Sequence, residues 1–276
     1  MRTIDREKDI GMRLRVAVIG DVGGHLDELR RELGELGADR AGRLPDDLVV
    51  VQVGDLVHRG PDSNGVVRLV DHYLTTQPHQ WIQLIGNHEV NYLRTPQFRW
   101  AEKISYGSRR TLKRWWRTGV LHTAVAVEGD DEQFLVSHAG VTESFWRRHL
   151  DAPSSARSAA MRINAFARTG CETLYGGGAM LGGGPNPMVG PLWADRADEL
   201  VPGWLGRTLP FSQIHGHSGS HGESEDPLTV YDPVRHHEET RLDGGRIIGI
   251  DPGHLAVATT QWSSFVVTTS TPPRVA

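Results

Sequence analysis

The chain has almost no cysteine, no long apolar run and little net charge. Among 276 residues there is one cysteine, Cys171, so no internal disulfide can form and a reducing compartment is expected. No apolar run is long enough to cross a bilayer, and residues 1–13 are charged without an apolar centre. We therefore expect a flexible leader rather than a signal peptide. These absences favour a cytoplasmic enzyme with no membrane partner.

The composition is that of a globular protein with a sizeable core. Hydrophobic residues make up 38% and charged residues 23% of the chain. We expect one domain over residues 14–276, in which short β-branched runs alternate with segments of helical periodicity. The predicted strands are 14–19, 48–53 and 81–85, and the predicted helices are 26–36 and 64–77. That order predicts right-handed crossovers and a sheet with parallel neighbours.

Polar side chains follow the ends of five apolar runs, and they are Asp21, Asp55, Asn87, His138 and His217. Because α/β sheets bind ligands beyond the carboxyl ends of their strands, we expect these side chains to meet at one site. Two carboxylates, an amide oxygen and two imidazoles suit Mn²⁺, Fe²⁺ or Zn²⁺ better than Ca²⁺. If Asp55 bridges, two metals would lie about 3.5–4 Å apart, the spacing used for displacement at phosphorus.

Two further side chains have the chemistry that such a displacement needs. His88 directly follows Asn87, and Arg59 lies four positions after Asp55. The leaving oxygen requires a proton donor, and the phosphate requires a cation. The planar fork of arginine matches two phosphate oxygens. We therefore expect His88 to be the general acid and Arg59 to be a phosphate clamp.

The second half of the chain leaves the parallel pattern. Apolar runs at 123–127 and 133–137 flank a Glu-Gly-Asp-Asp-Glu turn, which predicts a hairpin and a second sheet. Helical spacing at 142–150 and 156–167 is followed by a glycine-rich stretch at 176–185, so about 141–190 is predicted to be a helical and glycine-rich insert. Further strands are predicted at 211–214 and then, in antiparallel arrangement, at 228–231, 247–250, 255–260 and 265–268.

Residues 98–118 are basic and aromatic. The pattern favours an amphipathic helix with a solvated basic face and tryptophans on the core, and a nucleic-acid surface is the alternative. The expected partner is therefore a phosphorylated substrate rather than a nucleic acid.

Six motifs in a fixed order give the chain a family resemblance. They are Gly20-Asp21, Gly54-Asp55 with Arg59-Gly60, Gly86-Asn87-His88-Glu89, His138-Ala139-Gly140, Leu192-Trp193 and Gly216-His217-Ser218. This order resembles the calcineurin-like metallophosphoesterases, most closely the phosphoprotein phosphatase branch and its bacterial relatives, which include diadenosine tetraphosphate hydrolases. The resemblance runs from about residue 14 to about residue 260.

The resemblance implies an α/β fold of four layers. Two central mixed β-sheets would be flanked by helices, with the metal site at the carboxyl ends of strands. It also implies two divalent metal ions, Mn, Fe or Zn, bridged by Asp55. Asn87, His138 and His217 would bind the second metal, and Asp21 the first.

The family also has a second phosphate-binding arginine after the Leu-Trp element. Arg196 is favoured for this role because it closely follows Trp193, and Arg207 is the alternative.

The opening motif departs from the family pattern Gly-Asp-x-His-Gly. Gly23 stands where a first-metal histidine is expected, and glycine has no side chain with which to bind a metal. His25, two positions later, could be bent inward by the glycine pair. His215 is a second substitute, because positions two apart on a strand face the same side and His217 is a predicted ligand. Water is the third possibility.

The second motif departs from the pattern Gly-Asp-x-x-Asp-Arg-Gly. His58 replaces the second aspartate, which in the family pairs with the catalytic histidine and helps to keep it protonated. Two protonated histidines would repel each other, which lowers their apparent pKa values. We therefore expect His58 to change the pH dependence of His88.

The sequence thus favours a metal-dependent phosphohydrolase that cleaves a phosphomonoester by attack of a metal-activated water. A small-molecule or nucleotide phosphate is the favoured substrate class, because the insert could close a pocket. The alternatives are a protein Ser/Thr phosphatase, a dinucleoside polyphosphate hydrolase and a degenerate phosphate-binding protein without activity. Physiological substrate, metal count and oligomeric state are left open.

Overall fold

The computed structural model describes residues 13–219, 227–254 and 262–275. The strands within these residues are β1 (Leu14–Ile19), β2 (Leu48–Gln52), β3 (Trp81–Leu84), β4 (Leu121–His122), β5 (Ala124–Glu128), β6 (Gln133–Ser137), β7 (Ser212–His215), β8 (Thr229–Asp232), β9 (His237–Leu242), β10 (Gly245–Gly249) and β11 (Phe265–Thr269). The α-helices are α1 (Leu26–Glu35), α2 (Ser63–Thr76), α3 (Asn87–Leu93), α4 (Tyr106–Arg117), α5 (Glu143–Arg148), α6 (Ala156–Thr169) and α7 (Val201–Trp204).

Most of the longer helices begin at a polar capping residue. The side chains of Asp62, Ser105, Thr142 and Ser155 accept hydrogen bonds from backbone N–H groups in the first turns of α2, α4, α5 and α6. Such caps satisfy N–H groups that have no partner inside the helix. The helices predicted from periodicity at 26–36, 64–77, 142–150 and 156–167 are confirmed.

The strands form two mixed sheets. The first has the order β11-β1-β2-β3-β4, in which β11 is antiparallel to β1 and the other pairs are parallel. The second has the order β5-β6-β7-β10-β9-β8, with parallel pairs β6–β7 and β7–β10. The predicted hairpin is the antiparallel pair β5–β6. The antiparallel arrangement predicted for 247–250 is present on one side, where β10 pairs with β9, whereas on its other side β10 is parallel to β7.

The two sheets pack face to face, and helices cover their outer faces. Val16 and Val18 of β1 lie in a core cluster shared with strands of the second sheet, whereas Ala17 and Ile19 lie in the cluster that contains the helices. Successive side chains of a strand point to opposite faces, so a strand buried on both faces is a continuous apolar run. The predicted four-layer arrangement of helices around two central mixed sheets is confirmed.

The amphipathic helix predicted within 98–118 is α4. Its Leu112 and Trp115 are buried, and its Arg110, Lys113 and Arg114 are exposed. The described residues contain no helix that is both long and apolar enough to cross a membrane. Two predictions, the leader up to residue 12 and the strand at 255–260, lie outside the described residues.

Candidate metal centre

The structure brings together four of the five predicted metal ligands in one buried cluster. Ligand atoms of Asp55, His138 and His217 all lie within 4.8 Å of one another. The Asn87 amide lies among them, with its Oδ1 2.9 Å from Nε2 of His138. None of these four side chains is more than 4% exposed. They come from the loops after β2, β3, β6 and β7, so the carboxyl ends of strands from both sheets build the cluster.

The donor chemistry of this cluster fits a divalent cation. The Asn87 amide atom that points into the cluster meets only acceptor atoms, among them Oδ1 of Asp55 at 3.1 Å and Nδ1 of His217 at 3.3 Å. Nδ1 of His138 lies 3.1 Å from the Val53 carbonyl oxygen, so Nδ1 carries the proton and Nε2 keeps a lone pair for the cluster. Nε2 of His217 is buried and has no hydrogen-bond partner within residues 13–219, 227–254 and 262–275. Converging acceptors of this kind are satisfied by a bound metal ion.

Asp21, the fifth predicted ligand, adjoins the cluster from the end of β1. Its Oδ1 accepts a hydrogen bond of 3.0 Å from the backbone N–H of His217, whereas its Oδ2 is buried and no described residue donates a hydrogen bond to it. Burial, ahead of the neighbouring Asp251 and Asp55, raises the pKa of Asp21 well above its usual value. A cation beside Oδ2 would offset the effects of burial and of the neighbouring carboxylates on the pKa of Asp21, so Asp21 also fits a metal.

The backbone of the site is held in a conformation that non-glycine residues rarely adopt. Asp55, Arg59 and His217 have φ values of 53°, 69° and 66°. The buried carboxylate of Glu89 accepts hydrogen bonds of 2.8, 2.9 and 3.0 Å from backbone N–H groups of Asp55, Leu56 and Gly86. Glu89 thereby ties the loop after β2 to the loop after β3, and its carboxylate is occupied by these backbone groups. Strain of this kind is typical of functional sites.

Two glycines leave room for the metal-binding carboxylates. A Cβ at Gly86 would overlap the Asp55 carboxylate, and a Cβ at Gly216 would overlap the Asp21 carboxylate. Both neighbours are buried carboxylates that hydrogen-bond to the backbone, so they have little freedom to move away.

Gly216→Ala is therefore expected to displace Asp21 and to weaken divalent-metal binding by at least about tenfold, because loss of ligand orientation costs metal affinity. Metal titration of the apo protein measures this. The matched control is Gly34→Ala, since a Cβ at Gly34 meets nothing within 4 Å and alanine favours a helix. Equal metal affinity in the two variants would contradict the crowding argument.

The proton-donor side of the site is a chain of three side chains. Nδ1 of His88 lies 2.6 Å from Nδ1 of His58, and Nε2 of His58 lies 2.5 Å from the Tyr92 hydroxyl. Nε2 of His88 faces the cluster, 3.8 Å from Oδ2 of Asp55. Burial, ahead of the neighbouring His88, lowers the pKa of His58 to about 4, and burial likewise lowers the pKa of His88 to about 4. The predicted His58–His88 contact is thus present, with both rings biased towards the neutral form.

Arg59 lies next to the predicted first-metal ligand. Its Nη1 is 3.7 Å from Oδ2 of Asp21, and its side chain is 12% exposed. Burial opposes its charge, but Asp251, Asp55 and Asp21 outweigh burial and raise the pKa of Arg59. The guanidinium is therefore a permanent cation at the edge of the cluster, where the sequence predicts the phosphate clamp.

Arg196 has other partners than the predicted phosphate. It is 4% exposed, its Nε lies 3.0 Å from Oε2 of Glu238, and its Nη2 donates to the Thr240 hydroxyl at 2.7 Å. Its Nη1 lies 3.1 Å from Nε2 of His215. The Arg196 guanidinium is thus held in a buried network, and the alternative, Arg207, lies at the surface.

His215 does not converge with His217 on the metal cluster. The strand alternation stops at the end of β7, because His217 follows Gly216 with a φ of 66°. The two ring nitrogens of His215 face Arg196 and the Gly216 carbonyl oxygen instead. His215 as a substitute first-metal ligand is therefore wrong in this structure, since neither nitrogen points at the cluster.

Sequence reasoning missed three aromatic residues beside His58 and His88. Tyr92 contacts His58, and the ring centroids of Phe98 and Trp100 lie 4.9 and 4.8 Å from that of His88. The motif Gly86-Asn87-His88-Glu89 forms the start of α3. Tyr92 lies four positions after His88, a spacing that places both on one helix face and could have indicated the contact.

Comparisons with known proteins agree with this site. The family model described as calcineurin-like phosphoesterase matches residues 14–168, more than half of the chain. The symmetrical bis(5'-nucleosyl)-tetraphosphatase of Aeromonas hydrophila is 27% identical over 158 residues, which cover 54% of this chain and 51% of that protein. The zinc-dependent endopolyphosphatase of Saccharomyces cerevisiae is 36% identical over 72 residues, 26% of this chain and 20% of that protein.

The chain therefore spans about half, or less, of the length of these two relatives. A solved cold-active protein-tyrosine phosphatase from a psychrophilic Shewanella species shares the fold, with a TM-score of 0.53 and 16% identity. The alignment covers 87% of this chain and 72% of that structure. The family match, together with the buried cluster at the strand ends, places the chain in the calcineurin-like phosphoesterase family.

Proposed function

We propose that the protein is a metal-dependent phosphohydrolase that cleaves a phosphomonoester of a small molecule or nucleotide. The observation that carries this proposal is the convergence of Asp55, Asn87, His138 and His217 in one buried cluster, with His88 and Arg59 at its edge. A carboxylate, an amide oxygen and imidazoles suit Mn²⁺, Fe²⁺ or Zn²⁺. Two ions are proposed, since Asp21 presents a second buried acceptor beside the cluster.

Divalent cations bound at this cluster would polarise phosphate oxygens and lower the pKa of a water molecule. Arg59 can bind the remaining phosphate oxygens, because its permanent charge lies at the cluster edge. His88 can hold a proton on Nε2, which faces the cluster, and pass it to the leaving oxygen. His58 and Tyr92 stand behind His88 in hydrogen-bond reach and can replace that proton.

The favoured substrate class rests on the cavity that adjoins His58. This cavity of about 700 Å³ is lined by aromatic side chains, including Tyr92, Phe98 and Trp100, and by the cations Arg99 and Lys103. Aromatic faces stack on bases and cations attract phosphates, so the lining suits a nucleotide better than an extended peptide.

A dinucleoside polyphosphate is the second candidate substrate. The same cavity favours it, because a second nucleotide moiety could lie against Trp100 while the cleaved phosphate lies at the cluster. The similarity to a bis(5'-nucleosyl)-tetraphosphatase also supports this candidate.

Parallel assays with Mn²⁺ test these alternatives on p-nitrophenyl phosphate, a nucleoside monophosphate, diadenosine tetraphosphate and a phosphoserine peptide. We expect turnover of the two monoesters and little of the peptide. Trp100→Ala is expected to slow nucleotide hydrolysis by about tenfold, since stacking on one base contributes roughly 1–3 kcal/mol. Hydrolysis of p-nitrophenyl phosphate should change by less than about threefold.

Trp116→Ala is the matched control, since this tryptophan belongs to α4 and does not line the cavity. Preference for diadenosine tetraphosphate over the monoesters would favour the second candidate. Absence of turnover on all four compounds, in metal-loaded protein that still binds phosphate, would favour the binding protein without activity and contradict the proposal.

A further inference from the structure

A second cluster of metal-ligating side chains lies at the amino end of α1. Ligand atoms of His25, Glu28 and His254 all lie within 4.8 Å of one another. Nδ1 of His25 is 3.3 Å from Oε1 of Glu28. The rings of His25 and His254 stack with centroids 4.0 Å apart and an interplanar angle of 15°. Two imidazoles and a carboxylate from distant parts of the chain therefore converge outside the cluster of Asp55, Asn87, His138 and His217.

His254 packs against Gly23, the position at which this chain has no side chain. A Cβ at Gly23 would lie 3.3 Å from Cδ2 of His254, so the imidazole packs against bare backbone where the family pattern has a histidine. Nε2 of His254 lies 3.1 Å from the backbone carbonyl oxygen of Asp21. The imidazole thus contacts the loop that carries the predicted first-metal ligand.

The tautomer of His254 leaves a lone pair free for a ligand. Because a carbonyl oxygen can only accept a hydrogen bond, Nε2 carries the proton and donates a hydrogen bond to the Asp21 carbonyl oxygen. Nδ1 of the neutral ring is then unprotonated. This Nδ1 is buried and has no hydrogen-bond partner among the residues that the structure describes.

The carboxylate of Glu28 is oriented by a residue that does not belong to the cluster. Nε1 of Trp262 donates a hydrogen bond of 2.8 Å to Oε2 of Glu28, which leaves Oε1 facing His25. Outer partners of this kind are typical of metal-binding carboxylates. A cavity of about 640 Å³, lined in part by His25 and Glu28, gives the cluster access to solvent.

We propose that His25, Glu28 and His254 bind a divalent metal ion of the Zn²⁺ type at a site separate from the Asp55 cluster. Bonds of about 2.0–2.2 Å in tetrahedral geometry place ligand atoms about 3.5 Å apart. The rings of His25 and His254, which stack with an interplanar angle of 15°, must rotate for both lone pairs to meet one ion. The fourth position is open to water from the cavity. An ion here would fix His254 against the Asp21 loop, on the side where the chain has no side chain at Gly23.

Metal counting in a background without the Asp55 cluster tests this site. Asp55→Asn combined with His138→Ala removes two ligands of that cluster and leaves His25, Glu28 and His254 unchanged. Protein stripped of metal and reloaded with Zn²⁺ is expected to retain one equivalent per chain. Adding His254→Ala or Glu28→Gln should remove this equivalent, or weaken its Zn²⁺ affinity by more than about 100-fold, the upper range for loss of an outer partner.

Glu28→Gln keeps an oxygen that can accept from Trp262, so its effect reports on the charge rather than on folding. His79→Ala, at an exposed histidine, is the control for non-specific imidazole binding and should leave the count unchanged. If the background variant does not fold, the same two substitutions in the wild-type chain should lower its count by one.

Zinc binding that is unaffected by both His254→Ala and Glu28→Gln would overturn the proposal, as would a folded background variant that holds no metal. The readout is metal content and affinity, not hydrolysis. A protein inactive on every phosphate ester would therefore leave this test intact.

Discussion

His138→Ala is expected to reduce hydrolysis of the preferred phosphate ester by about 10³-fold or more and to lower the bound divalent metal per chain. His138 is fully buried, its Nδ1 is held by the Val53 carbonyl, and its Nε2 lies 2.9 Å from the Asn87 amide and 3.5 Å from Oδ1 of Asp55. Its removal takes away a ligand and opens a void between the two sheets. A bound cation contributes several kcal/mol of transition-state charge stabilisation, and each 1.36 kcal/mol is a factor of ten.

The measurement is kcat/KM with saturating Mn²⁺, together with metal content after desalting. His237→Ala is the matched control. This buried histidine belongs to β9, and its Nε2 contacts the Ser263 carbonyl oxygen rather than a predicted ligand. The control should keep its metal and most of its activity, whatever stability it loses. A His138→Ala protein with a wild-type metal count and rate would contradict the assignment of the metal centre.

The strands that carry the site could be predicted from the sequence for a simple physical reason. The runs at residues 16–19 of β1 and 48–51 of β2 are apolar because both of their faces are buried, so no amphipathic alternation obscures them. A polar residue that closely follows such a run must lie near the carboxyl end of the strand, where the sheet meets solvent or a ligand. Asp21, Asp55 and Asn87 were therefore predictable as neighbours before any fold was known.

The partners of Arg196 could not be predicted in the same way. Two of them, Glu238 and Thr240, lie on β9 (His237–Leu242), whose sequence His-Glu-Glu-Thr-Arg-Leu has no apolar run. Its Glu238 and Thr240 are nevertheless buried, because the Arg196 guanidinium pairs with one and hydrogen-bonds to the other. Buried polar pairs depend on three-dimensional proximity, and a pattern of hydrophobicity along the chain contains no trace of it.

The histidines show the same limit. His25 and His254 are 229 positions apart in the sequence and meet only because the loops after β1 and β10 share one edge. His254 has no motif partner beyond the Asp251 turn that precedes it, so the sequence did not indicate its contact with His25. By contrast, the contact between His58 and His88 was predictable, because the family pattern places an acid–histidine pair at these two positions.

The second large effect is expected from His58→Asp, on the pH dependence of hydrolysis. The two Nδ1 atoms of His58 and His88 are 2.6 Å apart, so only one proton fits between them. Burial lowers the pKa of His88 to about 4. If protonated His88 is the acid, its concentration falls tenfold for each pH unit above this pKa, and kcat/KM of the wild type should fall across the neutral range.

An aspartate at position 58 would place a negative charge beside His88 instead of an imidazole. A carboxylate accepts the Nδ1 proton of His88 and favours the charged ring, which raises the pKa of His88 by about 1–3 units. The falling limb of the pH–rate profile should move to higher pH by the same amount. Aspartate is tolerated in the left-handed backbone conformation of position 58, where φ is 76°.

Profiles of kcat/KM from pH 5 to 9 at saturating Mn²⁺ would measure the shift, and His58→Asn is the decisive control. Asparagine has the size of aspartate and can accept the same hydrogen bond, but it has no charge. The falling limb of the His58→Asn profile should stay near that of the wild type, whereas the falling limb of the His58→Asp profile should move to higher pH. Superimposable profiles for the two variants would show that charge at this position does not control the acid. The coupling between His58 and His88 would then have no part in catalysis, and the proton would have to come from another donor.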